Sequence, residues 1–205
     1  MRRMSRYLLL VGGLLLLFGF SSAPAVRAQA ANELTSKFDL RTSGLELERH
    51  TQLGAFFDVA GRRSAVFGYE NRALEAWVYP LKILDDFYLS FNLQGYPLDI
   101  NGPDVAVRIS VRPEATIFTY SHAAFTVRQV IFAPIEEPGI IMLLDVQSVL
   151  PMTVTGSFRP RLKLMWPAGS MTAYLGWDEK ARVYTASEET GRFVGIIGSP
   201  VARDV

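Results

Sequence analysis

The chain has 205 residues, of which 49% are hydrophobic and 20% are charged, a composition typical of a globular protein with one domain or at most two small ones. Twenty-one Lys and Arg side chains balance twenty Asp and Glu side chains, which excludes a strongly basic nucleic-acid-binding protein. The chain has no cysteine, which excludes disulfides, thiol catalysis and a lipid-modified N-terminal cysteine.

Residues 1–30 have the pattern of a cleaved signal peptide. Arginines within the first six residues precede an apolar run, Leu8–Phe20, and the segment ends in the Ala-x-Ala pattern Ala28-Gln29-Ala30. The run is shorter than the ~18 residues that a membrane span needs, so we expect export with cleavage rather than an uncleaved anchor. Arg2-Arg3 leaves twin-arginine export open as an alternative. Cleavage removes four arginines, which changes the formal net charge from +1 to about −3.

The mature chain is predicted to be all β. Residues 31–63 are weakly patterned and are interpreted as a lead-in segment with one or two edge strands, and residues 64–205 as one β-sandwich domain. Short apolar runs end at turn residues in Ala65–Phe67, Leu74–Tyr79 and Phe87–Leu93. No helical period is visible after residue 30. About ten strands spaced 8–12 residues apart indicate an antiparallel β-sandwich.

The clearest strand pattern lies in Val105–Pro134. Hydrophobic and polar residues alternate from Val105 to Val111, as in a half-buried strand. Ala115–Tyr120 and Phe125–Phe132 are predicted as the next two strands, joined by a turn at Ser121-His122. The three strands form an antiparallel meander, and its apolar face requires a second layer to cover it.

The second half of the domain continues the pattern. Ile140–Val149 is interpreted as a strand buried on both faces, because it is mostly apolar and is bounded by prolines. Thr153–Trp166 alternates as another strand. A hairpin is predicted around Asp178-Glu179-Lys180, and Arg192–Ile197 as one more short strand. The sequence after that strand has no closing element, so we expect the chain to be a fragment of a longer protein.

No metal or cofactor site is predicted. His50 and His122 are the only histidines, they lie far apart in sequence, and no zinc-ligand spacing is present. The segment Asp99–Asp104 has oxygen-bearing side chains at alternate positions, as calcium loops do, but its Gly comes too early and no Glu closes it. Ordinary turn chemistry is the better interpretation.

No catalytic residue is predicted within the chain. The paired carboxylates Asp85-Asp86, Glu136-Glu137 and Glu188-Glu189 are sequence neighbours, so their side chains diverge in a strand and cannot face each other across ~5–9 Å as in a glycosidase.

Aromatic side chains suggest a contact surface instead. Trp77, Tyr79 and Tyr88 lie near Lys82 in the sequence, and a second group consists of Trp166, Tyr174 and Trp177. Such rings pack in sandwich cores and interfaces, and they also stack on sugars. Packing in the core or between domains is the favoured interpretation, and direct sugar contact is the alternative.

Three segments resemble one protein family. Glu75–Phe91, Val111–Ala115 and Thr119–Gln129 are similar to the N-terminal domain of bacterial glycogen-debranching, amylo-α-1,6-glucosidase-like proteins, which are six-hairpin glycosidases. The resemblance covers roughly residues 64–200. In that family a β-supersandwich precedes an (α/α)₆ barrel, and the barrel carries the catalytic carboxylates.

The resemblance implies an accessory domain of an exported glycoside hydrolase acting on α-glucan-like oligosaccharides. Its implied partners are the (α/α)₆ catalytic domain of the same protein and, as a further candidate, an oligosaccharide, with no nucleic acid and no membrane after signal cleavage. The chain alone would be inactive, and its location periplasmic or secreted. A stand-alone carbohydrate-binding or structural module of the periplasm is the alternative. The residues expected at the substrate-binding or interdomain surface are Glu75, Trp77, Tyr79, Lys82 and Asp86.

Overall fold

Antiparallel strands make up most of the structure, a computed structural model that describes residues 44–165 and 172–202. The predicted signal peptide, residues 1–30, lies outside these ranges, and so does Trp166. The described helix is a single turn, α1 (Gly102–Val105). No helix in the described part of the chain is long and apolar enough to cross a membrane. The strands in chain order are β1 (Leu47–His50), β2 (Phe56–Ala60), β3 (Ser64–Tyr69), β4 (Leu74–Val78), β5 (Leu81–Leu93), β6 (Ile100–Asn101), β7 (Ala106–Val111), β8 (Thr116–His122), β9 (Phe125–Phe132), β10 (Ile141–Ser148), β11 (Met152–Leu164), β12 (Ala173–Asp178), β13 (Val183–Glu188) and β14 (Val194–Gly198).

The strands form three antiparallel sheets. Sheet 1 has the order β1-β7-β8-β9-β10, sheet 2 has the order β11-β5-β4-β3-β2 with β6 also paired to β5, and sheet 3 has the order β12-β13-β14. Sheets 1 and 2 pack face to face, which confirms the predicted antiparallel β-sandwich. The strands β1 and β2, which precede residue 64, are edge strands of sheets 1 and 2.

The main core lies between sheets 1 and 2 and is rich in aromatic rings. Phe57 of β2 contacts Phe118 of β8 with ring centroids 4.8 Å apart. Phe91 of β5, which is fully buried, contacts Tyr120 at 5.4 Å and Phe125 at 4.9 Å. These cross-sheet ring contacts fix the two layers against each other, because each ring buries a large apolar area.

The long strands β5 and β11 connect the main core to a second, smaller cluster. Register shifts interrupt their pairing with each other and that of β5 with β4, and Asp86 has a left-handed φ of 54° at one of the bulges. Bulges bend a strand and re-aim its side chains. Beyond this bend, Leu81, Ile83 and Leu162 are buried together with Ala186 of sheet 3. Sheet 3 therefore packs on the far ends of β5 and β11.

Several local predictions were wrong. Ile140–Val149 was expected to be buried on both faces, but β10 is an edge strand with every residue at least partly exposed. The turn predicted at Ser121-His122 lies two residues later, because β8 continues through His122. Val105 belongs to α1, and a bulge near the start of β7 leaves Val107 38% exposed. Burial alternates residue by residue in β2, β3 and most of β9, but not in β7 or β10.

Candidate functional site

The outer face of sheet 2 carries most of the predicted surface residues. In β4, Leu74 and Ala76 are buried toward the core, so Glu75 and Trp77 project from the opposite face. Lys82 of β5 lies directly opposite Trp77 and therefore shares that face. We call the side chains on this outer surface the aromatic face: Phe56, Phe67, Tyr69, Glu75, Trp77 and Lys82.

Glu75, Trp77 and Lys82 form one hydrogen-bonded cluster. The indole Nε1 of Trp77 donates to Glu75 Oε1 at 2.8 Å, and Lys82 Nζ donates to Glu75 Oε2. The Lys82 ammonium also lies 5.1 Å from the centroid of the Trp77 ring, within the range of a cation–π contact. Glu75 thus holds both partners, and the structure brings together three of the five predicted residues.

Tyr79 lies beside this cluster in the β4–β5 turn. Its peptide bond to Pro80 is cis, and its backbone N–H donates to the carbonyl of Arg63 at 2.8 Å. The side chain is 73% exposed, in contrast to the half-buried Trp77 ring. Tyr79 therefore has the most accessible ring among the predicted residues.

Asp86 is separated from the cluster by its ion pairs. It lies in the β5 bulge, and its carboxylate is 3.3 Å from Arg159 of β11. The neighbouring Asp85 accepts a 2.7 Å hydrogen bond from Arg161 Nε, while its second oxygen is buried without a hydrogen-bond partner. Both carboxylates interact with arginines of the adjacent strand, so Asp86 contributes to the contact between β5 and β11 rather than to the Glu75 cluster.

The structure adds rings to the aromatic face that the sequence reasoning missed. Phe56 and Tyr69 are paired in register, with ring centroids 5.8 Å apart, and both are exposed. Phe67 lies 6.3 Å from Phe56 and directly opposite Glu75, so these rings adjoin the Glu75 cluster. The guanidinium of Arg72 lies 5.9 Å from the Tyr69 ring centroid. The sequence signal that could have located this part of the face is the spacing of Phe67 and Tyr69 by two residues, which places both on one face of a strand.

The second aromatic group of the sequence is not assembled. Trp177 contacts Tyr184 at 4.9 Å on the inner side of sheet 3, whereas Tyr174, three residues earlier, projects from the opposite face. Trp166 lies outside the described residues. Sheet 3 therefore offers a single exposed ring rather than a ring cluster.

A narrow cleft between sheets 1 and 2 is a poor alternative site. Its lining includes the buried pair Tyr120 and Gln129, joined by a 2.6 Å hydrogen bond from the Tyr120 hydroxyl to Gln129 Oε1. Burial raises the pKa of the Tyr120 hydroxyl above its ordinary range. The cleft is open to solvent and has room for little more than one water molecule, which is too small for a sugar ring.

The carboxylates of the segment considered for calcium accept hydrogen bonds from nearby asparagines, one in β5 and one within the segment. Asp99 accepts from the Asn92 side chain at 2.7 Å, and Asp104 accepts from Asn101 at 3.2 Å. Across residues 44–165 and 172–202, no group of three His, Asp or Glu side chains is placed to hold a metal ion. The aromatic face is therefore the strongest candidate site in the described part of the chain.

Comparisons of the chain with protein-family models, curated proteins and solved structures gave no match. The sandwich and its aromatic face are therefore the basis for a functional proposal. The resemblance to debranching glycosidases enters only as a hypothesis about what this face contacts.

Proposed function

We propose that this chain is the accessory N-terminal sandwich of an exported, periplasmic or secreted glycoside hydrolase that acts on α-glucan-like oligosaccharides. In this proposal the aromatic face packs on an (α/α)₆ catalytic domain of the same protein and shapes the mouth of its cleft. Catalysis is assigned to that domain. The sandwich positions substrate and supplies none of the reacting groups.

One observation supports the proposal: aromatic rings are concentrated and exposed on one outer face. Phe56 is 57% exposed and Tyr69 44%, and Tyr79 in the adjoining β4–β5 turn is 73% exposed, although full burial of an aromatic side chain stabilises a protein by about 1.5–3 kcal/mol. Rings left on a surface beside charged groups are characteristic of interfaces and of sugar-binding surfaces.

The same rings also support the second candidate, a stand-alone carbohydrate-binding module. A sugar needs an open, flat ring with hydrogen-bonding groups beside it. Tyr79 has an open ring, and Glu75 and Lys82 lie close by along the chain. Trp77 is less suited to stacking, because Lys82 lies over its ring and Glu75 binds its N–H. Direct sugar binding by this chain would therefore depend chiefly on Tyr79.

The experiment uses Tyr79→Ala and a matched control, Tyr96→Ala, which removes a 45% exposed ring elsewhere on the domain. The gene is read past the codon for Val205 and the longest product is assayed for release of sugar from maltoheptaose. The accessory-domain proposal expects Tyr79→Ala to lower kcat/KM at least about fivefold, as loss of an interface ring costs more than ~1 kcal/mol. Tyr96→Ala should match wild type.

Titration of this chain alone with maltoheptaose separates the two candidates. Saturable binding that Tyr79→Ala weakens favours the stand-alone module. No binding by the chain, together with activity of the longer product that depends on Tyr79, favours the accessory domain. No glycosidase activity in the longest product and no sugar binding by the chain would refute both.

A further inference from the structure

The strand β14 has an open edge. It pairs with β13 along one side, from Val194 opposite Ser187 to Gly198 opposite Val183. Within residues 44–165 and 172–202, no strand pairs with its other side. An open edge presents a row of unpaired backbone N–H and C=O groups, which are the groups that another extended strand binds.

β14 also lacks the features that normally protect an edge. Its sequence, Val-Gly-Ile-Ile-Gly, has no charged residue, no proline and no bulge. Each of the other five strands at the ends of the three sheets carries at least one charged side chain, namely Glu48 in β1, Asp58 in β2, Asp145 in β10, Arg159 in β11 and Asp178 in β12. Charged side chains discourage pairing with a second chain, so β14 is the edge best suited to such pairing.

Two apolar side chains of β14 are exposed to solvent. Val194 and Ile196 project outward from sheet 3 and are 57% and 66% exposed. Ile197 projects the other way and packs against both hydrophobic clusters, which holds the strand in place. The edge is therefore ordered before any partner arrives, and pairing requires little further ordering.

We propose that β14 pairs antiparallel with β14 of a second copy of this chain, about a twofold axis that passes beside Ile196. In this register Val194 lies opposite Gly198 of the partner copy, and Gly195 lies opposite Ile197. A small residue then faces a large one on both faces of the new sheet. The two sheets 3 become one continuous six-stranded sheet, and the contact is isologous because each copy contributes the same strand.

Charge supports a second copy as the occupant. Because β14 carries no charge, a twofold axis brings no like charges together within the strand pair in any register. The outward side chains of β13 next to it, Thr185 and Ser187, are also uncharged. An uncharged, size-complementary partner is what the sequence of β14 itself provides.

Single-cysteine cross-linking tests the register, since the chain has no cysteine of its own. Ile196→Cys places two thiols directly opposite each other, with Cβ atoms about 4.5–5.5 Å apart, close to the spacing of a disulfide. Mild oxidation should join most of the protein into a covalent dimer. Val194→Cys is the matched control, because in this register the two Val194 positions lie roughly 13 Å apart and should remain unlinked. Equal cross-linking of both variants, or of neither, would overturn the proposal.

Sedimentation velocity tests the association itself. Wild-type protein should show a monomer–dimer equilibrium. Ile196→Lys places two like charges opposite each other and should raise the dimer Kd at least about tenfold. Ile135→Lys is the control: Ile135 is 65% exposed in the β9–β10 connection, so the same change there should leave Kd unaltered. A monomeric wild type, or a dimer indifferent to Ile196→Lys, would refute the pairing. If Ile196→Lys fails to fold, the comparison of cross-linking in Ile196→Cys and Val194→Cys tests the pairing instead.

Discussion

The main sandwich and sheet 3 are stabilised by different means. Between sheets 1 and 2, a core with several cross-sheet aromatic contacts buries side chains from both layers. Under sheet 3 the buried hydrophobic cluster among the described residues has four members, and two of them belong to β5. Hydrophobic stabilisation grows with buried apolar area, so the sandwich has much the larger share. Sheet 3 must depend more on local hydrogen bonds and on its attachment to β5 and β11.

Two buried glutamates show the same contrast. Glu70, at the end of β3 in the sandwich, forms a two-point ion pair with Arg49 and accepts a 2.8 Å hydrogen bond from the backbone N–H of Gln52. Glu188, at the end of β13, instead accepts hydrogen bonds from its own turn, including the Thr190 hydroxyl and backbone at 2.6 Å each. The first ties distant segments together, and the second fixes a single hairpin.

The largest expected effect comes from the sandwich core. Phe91→Ala should lower the free energy of unfolding by about 3–5 kcal/mol, because it removes a fully buried ring and leaves a cavity between the sheets. Ile83→Ala, in the smaller cluster, should lower it less and should chiefly reduce amide protection in sheet 3. Urea denaturation measures the first effect and hydrogen exchange the second. Uniform loss of protection over all three sheets in both variants would show that the regions are not distinct.

The next effect concerns the ion pair at the end of β3. The Glu70 side chain is fully buried, whereas that of Arg49 is 34% exposed. Arg49→Met should lower Tm by several degrees, because it leaves a buried carboxylate without its countercharge. Glu70→Gln should lower Tm less, because the freed guanidinium can reach water.

The double variant Arg49→Met with Glu70→Met provides the control for this pair. Removal of both charges leaves neither one buried and unpaired, so it should recover most of the stability lost in Arg49→Met alone. Thermal unfolding followed by circular dichroism measures all three. If the double variant has a lower Tm than Arg49→Met, the ion pair stabilises the fold by more than the neutralisation of the buried Glu70 charge.

The sequence predicted the sandwich well because its signal is local. Alternation within Phe125–Phe132 and within Leu74–Tyr79 depends only on which face of a strand is buried, and the structure has strands at both places. The bulges of β5 and the turn at the end of β8 were missed, since they depend on pairing with neighbouring strands. β10 was misjudged for the same reason: a run of apolar residues does not show whether it lies at the centre or the edge of a sheet.

The candidate site was predictable in part. Glu75, Trp77 and Lys82 were grouped because they are close in sequence, and a tight β4–β5 connection does place them side by side. Asp86 is equally close in sequence, but its left-handed backbone in the bulge and its pairing with Arg159 take it out of that cluster. Phe56 was missed, since its position beside Tyr69 is set by the β2–β3 register. To predict which side chains meet across neighbouring strands, the register of strand pairing must be known, and the sequence does not state that register.

The smallest expected effect, and the one most specific to sheet 3, is the acid sensitivity of the β13–β14 turn. Hydrogen bonds from the Thr190 hydroxyl, and then from the backbone N–H groups of Thr190, Arg192 and Phe193, lower the pKa of Glu188 from its ordinary 4.5 to about 2. The carboxylate therefore stabilises the turn fully above about pH 4.5 and progressively less as the pH falls toward 2. Amide protection at Arg192 and Phe193 should decline over this interval.

Glu188→Gln removes the charge and should make that protection low and independent of pH over the same interval. Glu189→Gln is the matched control, since Glu189 is the exposed neighbour of Glu188 and makes no hydrogen bond in this turn. NMR-detected amide exchange at Arg192 and Phe193 from pH 2 to 6 measures both. A loss of protection in wild type that Glu188→Gln leaves in place would mean that another acidic group controls the turn. A loss confined to wild type and Glu189→Gln would show that sheet 3 is held by local polar contacts that the sandwich core does not need.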